Sequence, residues 1–346
     1  MNIRAQIVQI HVATVLLSST VAIAQTARPQ LVHPHTWGGC ISTIAGNHNP
    51  GYSGDYGPAT SASLSLPSGV VVGYGYLGHE GLGSGAVWGL FISDTGNNVI
   101  RFLDLQNGNI YTYAGTGVPG YSGDGGFSWL ATLSQPSGMA MWGTYLYFSD
   151  QANHVVRKID LDRMITTVAG NGTAGNSGNG GPAASAQLGS PAGLAFDSSG
   201  NLYIADEQYN VVREVNAGTG LITEAVGTGT AGFAGDGGPA SAAELYQPVG
   251  LASDGSGDLA IADVGNNRIR GVTETSNSLG VYQGTISTIA GNGTAGYLTQ
   301  SPPTTAEFNH PAGIYLGFAS ASTGKVLLVT TSPIRKTTHL ASSRRT

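Results

Sequence analysis

Four aspartates that each follow a short apolar stretch are the first candidates for chemistry in this sequence. They are Asp94, Asp150, Asp206 and Asp263. Carboxylates and backbone carbonyls are the ligands that Ca²⁺ prefers, so these residues are candidate metal ligands. A turn carboxylate can also accept hydrogen bonds from backbone amides or pair with an arginine. Because a residue copied in four places is typical of architecture rather than of one site, the sequence favours the structural role. We therefore expect no bound metal, with Ca²⁺ or Zn²⁺ as the alternatives.

Histidine, serine and cysteine form no recognisable catalytic arrangement. His48, His79, His154 and His310 lie in predicted loops or turns, and these four have neither His-x-His nor His-Glu-x-x-His spacing among them. No Gly-x-Ser-x-Gly elbow is present. Cys40 is the only cysteine, so an intramolecular disulfide is excluded. No catalytic residue is assigned.

Aromatic side chains at one recurring place are the candidates for ligand binding. They are Tyr52, Tyr121, Phe233 and Tyr297, each between glycines or small residues. Asn176 takes this place once, and Trp129 stands nearby where the other copies have a small residue. Exposed aromatic rings can stack on a sugar or anchor a protein partner. The alternative is that they pack between or over neighbouring structural units.

These candidates lie on an internal repeat that occurs five times. A small apolar residue followed by glycine recurs, with the glycines at Gly46, Gly115, Gly170, Gly227 and Gly291. A proline before an apolar stretch recurs at Pro67, Pro136, Pro191, Pro248 and Pro311. An arginine recurs at Arg101, Arg157, Arg213, Arg270 and Arg335. Because the three landmarks keep one order throughout, the chain is a tandem array of similar units.

The third unit indicates what each repeat folds into. Residues 193–196 and 201–205 are predicted as its first two strands, and residues 211–215 and 221–226 as the next two. Polar turns that contain Gly or Asn separate them. Four consecutive antiparallel strands per repeat predict an all-β fold, a β-propeller of four-stranded blades.

The repeated motifs resemble NHL repeats. The resemblance is carried by 167–172 (Thr-Val-Ala-Gly-Asn-Gly), 201–206 (Asn-Leu-Tyr-Ile-Ala-Asp) and 235–240 (Gly-Asp-Gly-Gly-Pro-Ala), and it extends over residues 41–338. It is strongest to secreted, glycine-rich NHL arrays. NHL propellers commonly have six blades, whereas five are predicted here, with a six-bladed array as the alternative. The last unit has three predicted strands, at 314–318, 325–330 and 334–337, and residues 41–46 are predicted to supply its missing fourth strand.

The amino terminus has the form of a secretory signal. Arg4 precedes a mostly apolar run at residues 12–21, and Ala22-Ile23-Ala24 offers a cleavage site. The alternatives are a buried strand or a short membrane anchor, although the run is short for spanning a bilayer. The predicted organisation is a signal peptide (1–24), a linker (25–40), an NHL-repeat β-propeller (41–338) and a tail (339–346). The mature protein is then secreted, periplasmic or extracellular.

Topology and charge decide which function the sequence favours. In each blade the second-to-third turn and the fourth-to-first connection lie at the same end, which collects the aromatic residues together with Asp55, Asp124 and Asp236. The net charge of −6 argues against a nucleic-acid partner. We expect a monomeric, non-enzymatic binding or scaffold module without a membrane span. Its partner would be an extracellular protein or glycan.

An enzyme is the alternative function. Some NHL-like propellers are zinc-dependent lyases with histidines that face the central axis, so the resemblance also implies a metal-dependent lyase or hydrolase with its site at the mouth of the central channel. The predicted first strands, such as residues 70–72 and 194–196, are mostly apolar and contain no histidine.

Overall fold

A computed structural model describes residues 42–77, 85–255, 257–274, 284–297, 302–320 and 324–331. The regular structure in these residues consists of β-strands, with short 3-10 turns in the segments between them. The described residues fall into two compact units. The first contains residues up to Leu146 together with Lys158–Thr166, and the second contains Tyr147–Arg157 together with residues from Thr167 onward.

Four sheets each contain four strands, and every strand pairs with the next one along the chain. The first sheet contains β1 (Gly69–Tyr76), β2 (Ala86–Asp94), β3 (Val99–Asp104) and β4 (Ile110–Ala114). The second contains β5 (Pro136–Trp142), β6 (Tyr145–Asp150), β7 (Val155–Ile159) and β8 (Ile165–Ala169). The third contains β9 (Pro191–Phe196), β10 (Leu202–Asp206), β11 (Val211–Val215) and β12 (Ile222–Val226). The fourth contains β13 (Pro248–Ser253), β14 (Leu259–Asp263), β15 (Arg268–Glu274) and β16 (Gly284–Ala290).

A fifth sheet has two described strands, β17 (Pro311–Ser320) and β18 (Gly324–Thr331), which pair antiparallel. Repeated four-stranded sheets with each strand beside the next are the blades of the β-propeller class. The predicted fold class is confirmed. The four strands of the third repeat lie where the sequence placed them, within two residues at each end.

The recurring prolines mark where first strands begin. Pro136, Pro191, Pro248 and Pro311 are the first residues of β5, β9, β13 and β17. Proline has no N–H to donate to a ladder, so a strand tolerates it at the first position of an edge strand. The register of β9 against β10 shifts just after this point, between Ile204 and Asp206.

The predicted strand at residues 41–46 is not observed where the structure describes it, and its pairing with the last blade stays a prediction. Residues 42–46 belong to no strand, and Ile41 lies outside the described residues. The Gly46 N–H donates instead to the carbonyl of Ala59, at 2.9 Å, within the segment that leads to β1. A strand needs a hydrogen-bonded neighbour, and the predicted partner strand at 334–337 lies outside the described residues. The described sheets are four of four strands and one of two, rather than five complete blades.

Each unit buries a core formed by the inward faces of its sheets. In the first unit, Ala59 and Ala62 pack against Leu90, Ile92 and Leu103. In the second unit, one cluster joins residues of the third and fourth sheets, including Tyr203, Val212 and Ile261. Burying a Leu, Ile or Val side chain in this way contributes about 1.5–3 kcal/mol. Because the chain has no disulfide, its described sheets rely on this packing.

Glycine-rich connections precede the first strand of each sheet and fold back on themselves. Each contains a 3-10 turn, at Ala59–Ser61, Ser128–Leu130, Ala183–Ser185, Ala240–Ala242 and Pro303–Thr305. Gly235 shows why glycine is required, since it has φ +88° and a Cβ there would lie 2.7 Å from the Cα of Ala243. The described parts of the connections thus position side chains at one end of each sheet.

Candidate functional site

The turn aspartates accept hydrogen bonds from backbone N–H groups and from asparagine side chains of the same chain. Oδ1 of Asp94 accepts from the Ser65 N–H at 2.6 Å, and Oδ2 accepts from Nδ2 of Asn97 at 2.8 Å. Asp263 repeats this pattern with the Tyr246 N–H at 2.7 Å and Asn266 at 2.8 Å. These donors tie the preceding connection to the turn between the second and third strands.

The other two turn aspartates have related environments. The carboxylate of Asp206 accepts from the N–H groups of Gly189, at 2.7 Å, and Ser190, at 3.0 Å. Oδ2 of Asp150 lies 3.5 Å from Nη1 of Arg157, and both side chains are fully buried. Each of the four aspartates belongs to a different sheet. Within the described residues, no group of three or more His, Cys, Asp or Glu side chains is arranged to hold a metal ion.

Burial sets the protonation behaviour of these carboxyl groups. It raises the pKa of Asp94, although the hydrogen bonds from Asn97 and Ser65 and the charge of Arg101 act in the opposite direction. The pKa of Asp263 is raised for the same reason and is opposed by Asn266, Tyr246 and Arg270. A buried carboxylate becomes tolerable when donors surround it, which is the arrangement that both aspartates have.

The repeated arginines are fully buried and hold the connections. They are Arg101, Arg157, Arg213 and Arg270 in the described sheets, and Arg335 lies outside the described residues. Nη2 of Arg101 is 2.8 Å from Oδ1 of Asp55 and also donates to the carbonyl of Ser53. In the third sheet an amide replaces the acid, since Nη2 of Arg213 donates to Oδ1 of Asn179 at 2.7 Å. Burial lowers the pKa of Arg213, while the charges of Glu224 and Asp206 raise it.

Two of the recurring aromatic rings lie directly over these arginines. The guanidinium carbon of Arg101 is 5.2 Å from the ring centre of Tyr52, and that of Arg270 is 4.8 Å from the ring centre of Phe233. Arg268 lies 3.8 Å from the same Phe233 ring. The hydroxyl of Tyr52 also hydrogen-bonds with Oγ1 of Thr112 on β4, at 2.8 Å. These two rings therefore contact the buried arginine of their own repeat.

All four recurring aromatics keep a large exposed surface. The exposed fractions are 47% for Tyr52, 46% for Tyr121, 41% for Phe233 and 52% for Tyr297. In the place of the missing aromatic, Asn176 accepts from Nη1 of Arg213 at 3.1 Å and donates to Glu224 at 2.7 Å. The residue at this place contacts the buried arginine in three repeats: Tyr52 in the first, Asn176 in the third and Phe233 in the fourth. An aromatic ring that packs on a buried arginine and stays half-exposed can contact a ligand.

Trp129 has a different environment from these four. Its ring stacks on Phe127, with centres 4.3 Å apart, and lies over the guanidinium of Arg163 at 4.6 Å. Arg163 is almost completely buried, lies over Tyr113 as well and donates to the Tyr113 carbonyl at 2.6 Å. Trp129 is half-buried, whereas Phe127 and Leu130 beside it are exposed. Sequence reasoning did not single out Arg163, because it lies in a turn and has no counterpart among the repeated arginines.

Among the described residues, the histidines belong to no group of three or more metal-binding side chains. Nδ1 of His154 hydrogen-bonds to the carbonyl of Gly189 in the third connection. His48 and His310 are exposed, and His79 lies outside the described residues. His154 and His310 are thus side chains of turns and connections, in keeping with their predicted positions.

A shallow depression of about 370 Å³ in the second unit was not predicted. It is lined by Ser190, Glu207, Gln208, Asn210, Tyr246 and Gln247. The sequence carries one signal for it: the residue after the turn aspartate varies among Thr95, Gln151, Glu207 and Val264, while the residues around it repeat. A residue type that varies while its neighbours repeat is not required by the fold, so this position can serve a function instead.

An acidic group lies at the opposite end of the third and fourth sheets. Glu214 and Asp197 are buried there, and the charges of Asp197 and Glu274 act on Glu214. Burial, together with these charges, raises the pKa of Glu214 to about 7. The carboxylate of Asp197 accepts from the N–H groups of Ser199 and Asn201, both at 2.9 Å, and so shapes the turn between β9 and β10.

The described part of the chain contains no apolar helix of membrane-spanning length.

The sequence of this chain is similar to NHL repeats and to proteins that contain them. The NHL repeat model matches residues 245–271, which run from the end of the fourth connection into β15. "Protein SUPPRESSOR OF QUENCHING 1, chloroplastic" of Arabidopsis thaliana is 29% identical over 219 residues, covering 60% of this chain and 19% of that protein. "NHL repeat-containing protein 2" of Homo sapiens is 25% identical over 258 residues, covering 66% of this chain and 34% of that protein. The match thus spans about a fifth and a third of these two relatives.

Solved structures with related folds were also found. An auxiliary nutrient binding protein from Bacteroides thetaiotaomicron aligns with a TM-score of 0.48 at 19% identity, covering 74% of this chain and 55% of that one. A gluconolactonase from Xanthomonas campestris aligns with a TM-score of 0.46 at 13% identity, covering 75% of this chain and 69% of that one.

Proposed function

We propose, from the premise that this chain is an NHL-repeat protein of the β-propeller class, that it is a secreted, non-enzymatic binding or scaffold module. Its ligand would be an extracellular protein or glycan. The connections that carry Tyr52, Tyr121, Phe233 and Tyr297 would contact this ligand. The fold alone does not choose a function, so the proposal depends on the side chains at these connections.

The arginine-supported aromatic ring is the observation that carries the proposal. Tyr52 and Phe233 each lie over a buried arginine, and the same arginine binds an aspartate of the same connection, Asp55 or Asp236, at 2.8 Å. Because the arginine is fully buried and bonded to the connection, little conformational entropy is left to lose when a ligand contacts the ring. A rigid, half-exposed aromatic is a common binding anchor for proteins and glycans.

Catalysis would require a nucleophile, a base or a metal close to a reacting atom. The described connections instead use their acidic groups to hold arginines, amides and backbone N–H groups. The alternative is a metal-dependent lyase or hydrolase, and the experiment below would detect its activity.

The test combines a ligand search with matched variants. Glycan arrays and a displayed library of extracellular proteins are screened with the wild-type protein, and the strongest ligand is then titrated. The double variant Tyr52→Ala/Tyr121→Ala should raise the dissociation constant at least about tenfold, since each anchor contributes about 1 kcal/mol or more. The control is Tyr145→Ala, which removes an exposed aromatic from the opposite end of its sheet, at the turn between β5 and β6.

The melting temperature of each variant must stay close to that of the wild type for the comparison to count. Unchanged affinity in the double variant, or an equal loss in the Tyr145 control, would disprove the role of these aromatics. Substrate turnover after addition of Zn²⁺ or Ca²⁺ would replace the binding proposal with an enzymatic one.

Secretion is part of the same proposal and has a separate test. Expression of the full chain in a secreting host should release a protein whose first residue is Gln25, as determined by amino-terminal sequencing. Retention of residues 1–24 on the released protein would contradict the signal-peptide assignment.

A further inference from the structure

The depression in the second unit combines a carboxylate, an aromatic ring and neutral polar groups. Glu207 follows the turn aspartate of the third sheet, and its N–H donates to the carbonyl of Ser190 at 3.1 Å. Tyr246 and Gln247 come from the connection that leads to β13. The Gln247 N–H donates to Oδ1 of Asn210 at 3.0 Å, so the connection is bonded to the turn that carries Glu207. The lining is therefore fixed by backbone hydrogen bonds on two sides.

The negative charge in this depression has no matching cation among the described residues. Oε2 of Glu207 accepts from Nε2 of Gln151 at 3.2 Å, and the same amide group donates to Oγ of Ser190 at 2.8 Å. Burial raises the pKa of Glu207, and the neighbouring charge of Asp206 raises it further. No ion pair to Glu207 is present in the part of the chain that the structure describes. A half-buried carboxylate whose partner is a neutral amide gains most from an added positive charge.

Tyr246 provides an aromatic wall that cannot easily move. Its N–H donates to Oδ1 of Asp263 at 2.7 Å. Its ring lies against Gly265, where a Cβ would be only 2.3 Å from the ring. The residue as a whole is 41% exposed. An aromatic face beside a carboxylate is the arrangement that attracts ammonium and guanidinium groups.

We propose that this depression receives a basic side chain, a lysine ammonium or an arginine guanidinium, of a protein partner. The cation would pair with Glu207 and lie against Tyr246, while Gln208 and Gln247 at the rim accept its remaining N–H donors. A neutral sugar could also use the ring and the amides, but it would leave the charge of Glu207 uncompensated. This inference rests on the proposed binding function and names the chemistry of its ligand.

The test uses small probes, so that it does not depend on identifying the partner. N-acetyl-lysine methylamide and N-acetyl-arginine methylamide are titrated into the full chain and followed by NMR chemical shifts. N-acetyl-glutamine methylamide and methyl glucoside serve as neutral probes. We expect millimolar binding of the two cationic probes, shifts at Tyr246 and Glu207, and affinity that falls with added salt because charge pairing is screened.

Three variants decide whether the depression is the site. Glu207→Gln should weaken binding of the cationic probes at least about tenfold, as expected when a carboxylate partner is removed. Tyr246→Leu should weaken binding about three- to fivefold through loss of the cation–π contact. The control Asp162→Asn removes an exposed carboxylate elsewhere in the chain and should leave binding unchanged.

The outcomes separate this inference from the proposed function. Equal binding to wild type and Glu207→Gln, or neutral probes that bind as tightly as the cationic ones, would overturn the inference. A glycan that binds here in place of the cations would count against it as well. The Tyr52/Tyr121 experiment would be unaffected by these results, because it measures a different set of side chains.

Discussion

Nη2 of the fully buried Arg270 lies 2.8 Å from Oδ1 of Asp236, so a residue of a third strand holds the connection that precedes its own sheet. Oδ2 of the same aspartate accepts from Oγ1 of Thr288 on β16, at 2.7 Å. Arg101, Asp55 and Thr112 repeat this arrangement in the first sheet, with both contacts at 2.8 Å. In the first and fourth sheets the repeated arginine therefore links a connection to its blade and contacts the aromatic ring of that connection.

The first prediction concerns this link. Asp236→Ala should lower the free energy of unfolding by about 1–3 kcal/mol, because the buried arginine loses its shortest carboxylate contact. Asp236→Asn should cost less, since Asn179 already holds Arg213 in the third sheet at 2.7 Å. Urea denaturation measures both changes. Equal losses in the two variants would show that the side-chain oxygen is not what matters.

The second prediction concerns the turn aspartates. Asp206→Ala should destabilise the protein by about 1 kcal/mol for each lost hydrogen bond, since Gly189 and Ser190 lose their acceptor. Asp206→Asn keeps one oxygen acceptor and should give an intermediate loss in the same urea experiment.

Calcium titration of the same proteins provides the independent check. If the aspartates are structural, calorimetry should detect no stoichiometric calcium binding to wild type. Stoichiometric binding that disappears in Asp206→Ala would make the turn a metal site instead.

The third prediction concerns pH. Because the pKa of Glu214 is raised from 4.5 to about 7 in the folded protein, the folded state binds this proton more tightly than the unfolded state. Its contribution to stability is therefore largest at low pH and is lost as the pH rises from about 4.5 through about 7.

The measurement compares unfolding free energies of wild type and Glu214→Gln between pH 5 and pH 8. Wild type should lose more stability over this interval than the variant, whose amide does not titrate. Asp162→Asn, which removes an exposed carboxyl, should follow the wild-type curve. Parallel curves for wild type and Glu214→Gln would contradict the raised pKa.

The fourth prediction concerns the left-handed residue after the turn. Asn267 has φ +51°, and its Oδ1 accepts from the His310 N–H of the next connection at 3.0 Å. Asn267→Gly should cost about 1 kcal/mol for the lost hydrogen bond. Asn267→Ala should cost about 1–2 kcal/mol more, because alanine is disfavoured in this conformation. Thermal or urea unfolding that ranks alanine above glycine would exclude this explanation.

Part of the candidate site was accessible from the sequence, and part was not. Repetition revealed the aspartate, arginine and aromatic columns, because each recurs at a fixed place in the repeat. Repetition also hid Glu207 and Arg163, since neither residue has an equivalent that recurs. Trp129 was recognised as unusual, but its contact with Arg163 joins residues far apart in the chain and required coordinates.

The strand pattern, the repeat and the resemblance to NHL repeats could be read from the sequence alone, because alternation, turn residues and recurring landmarks are local properties of the chain. The contacts of Tyr52 and Phe233 with buried arginines, and the absence of a strand at residues 42–46, became visible in the three-dimensional structure alone. The tertiary structure also brought Glu207 and Tyr246 to one depression. The physical reason is that a strand or turn follows from neighbouring residues, whereas an ion pair, a ring contact or a strand partner depends on which distant segments the packed sheets bring together.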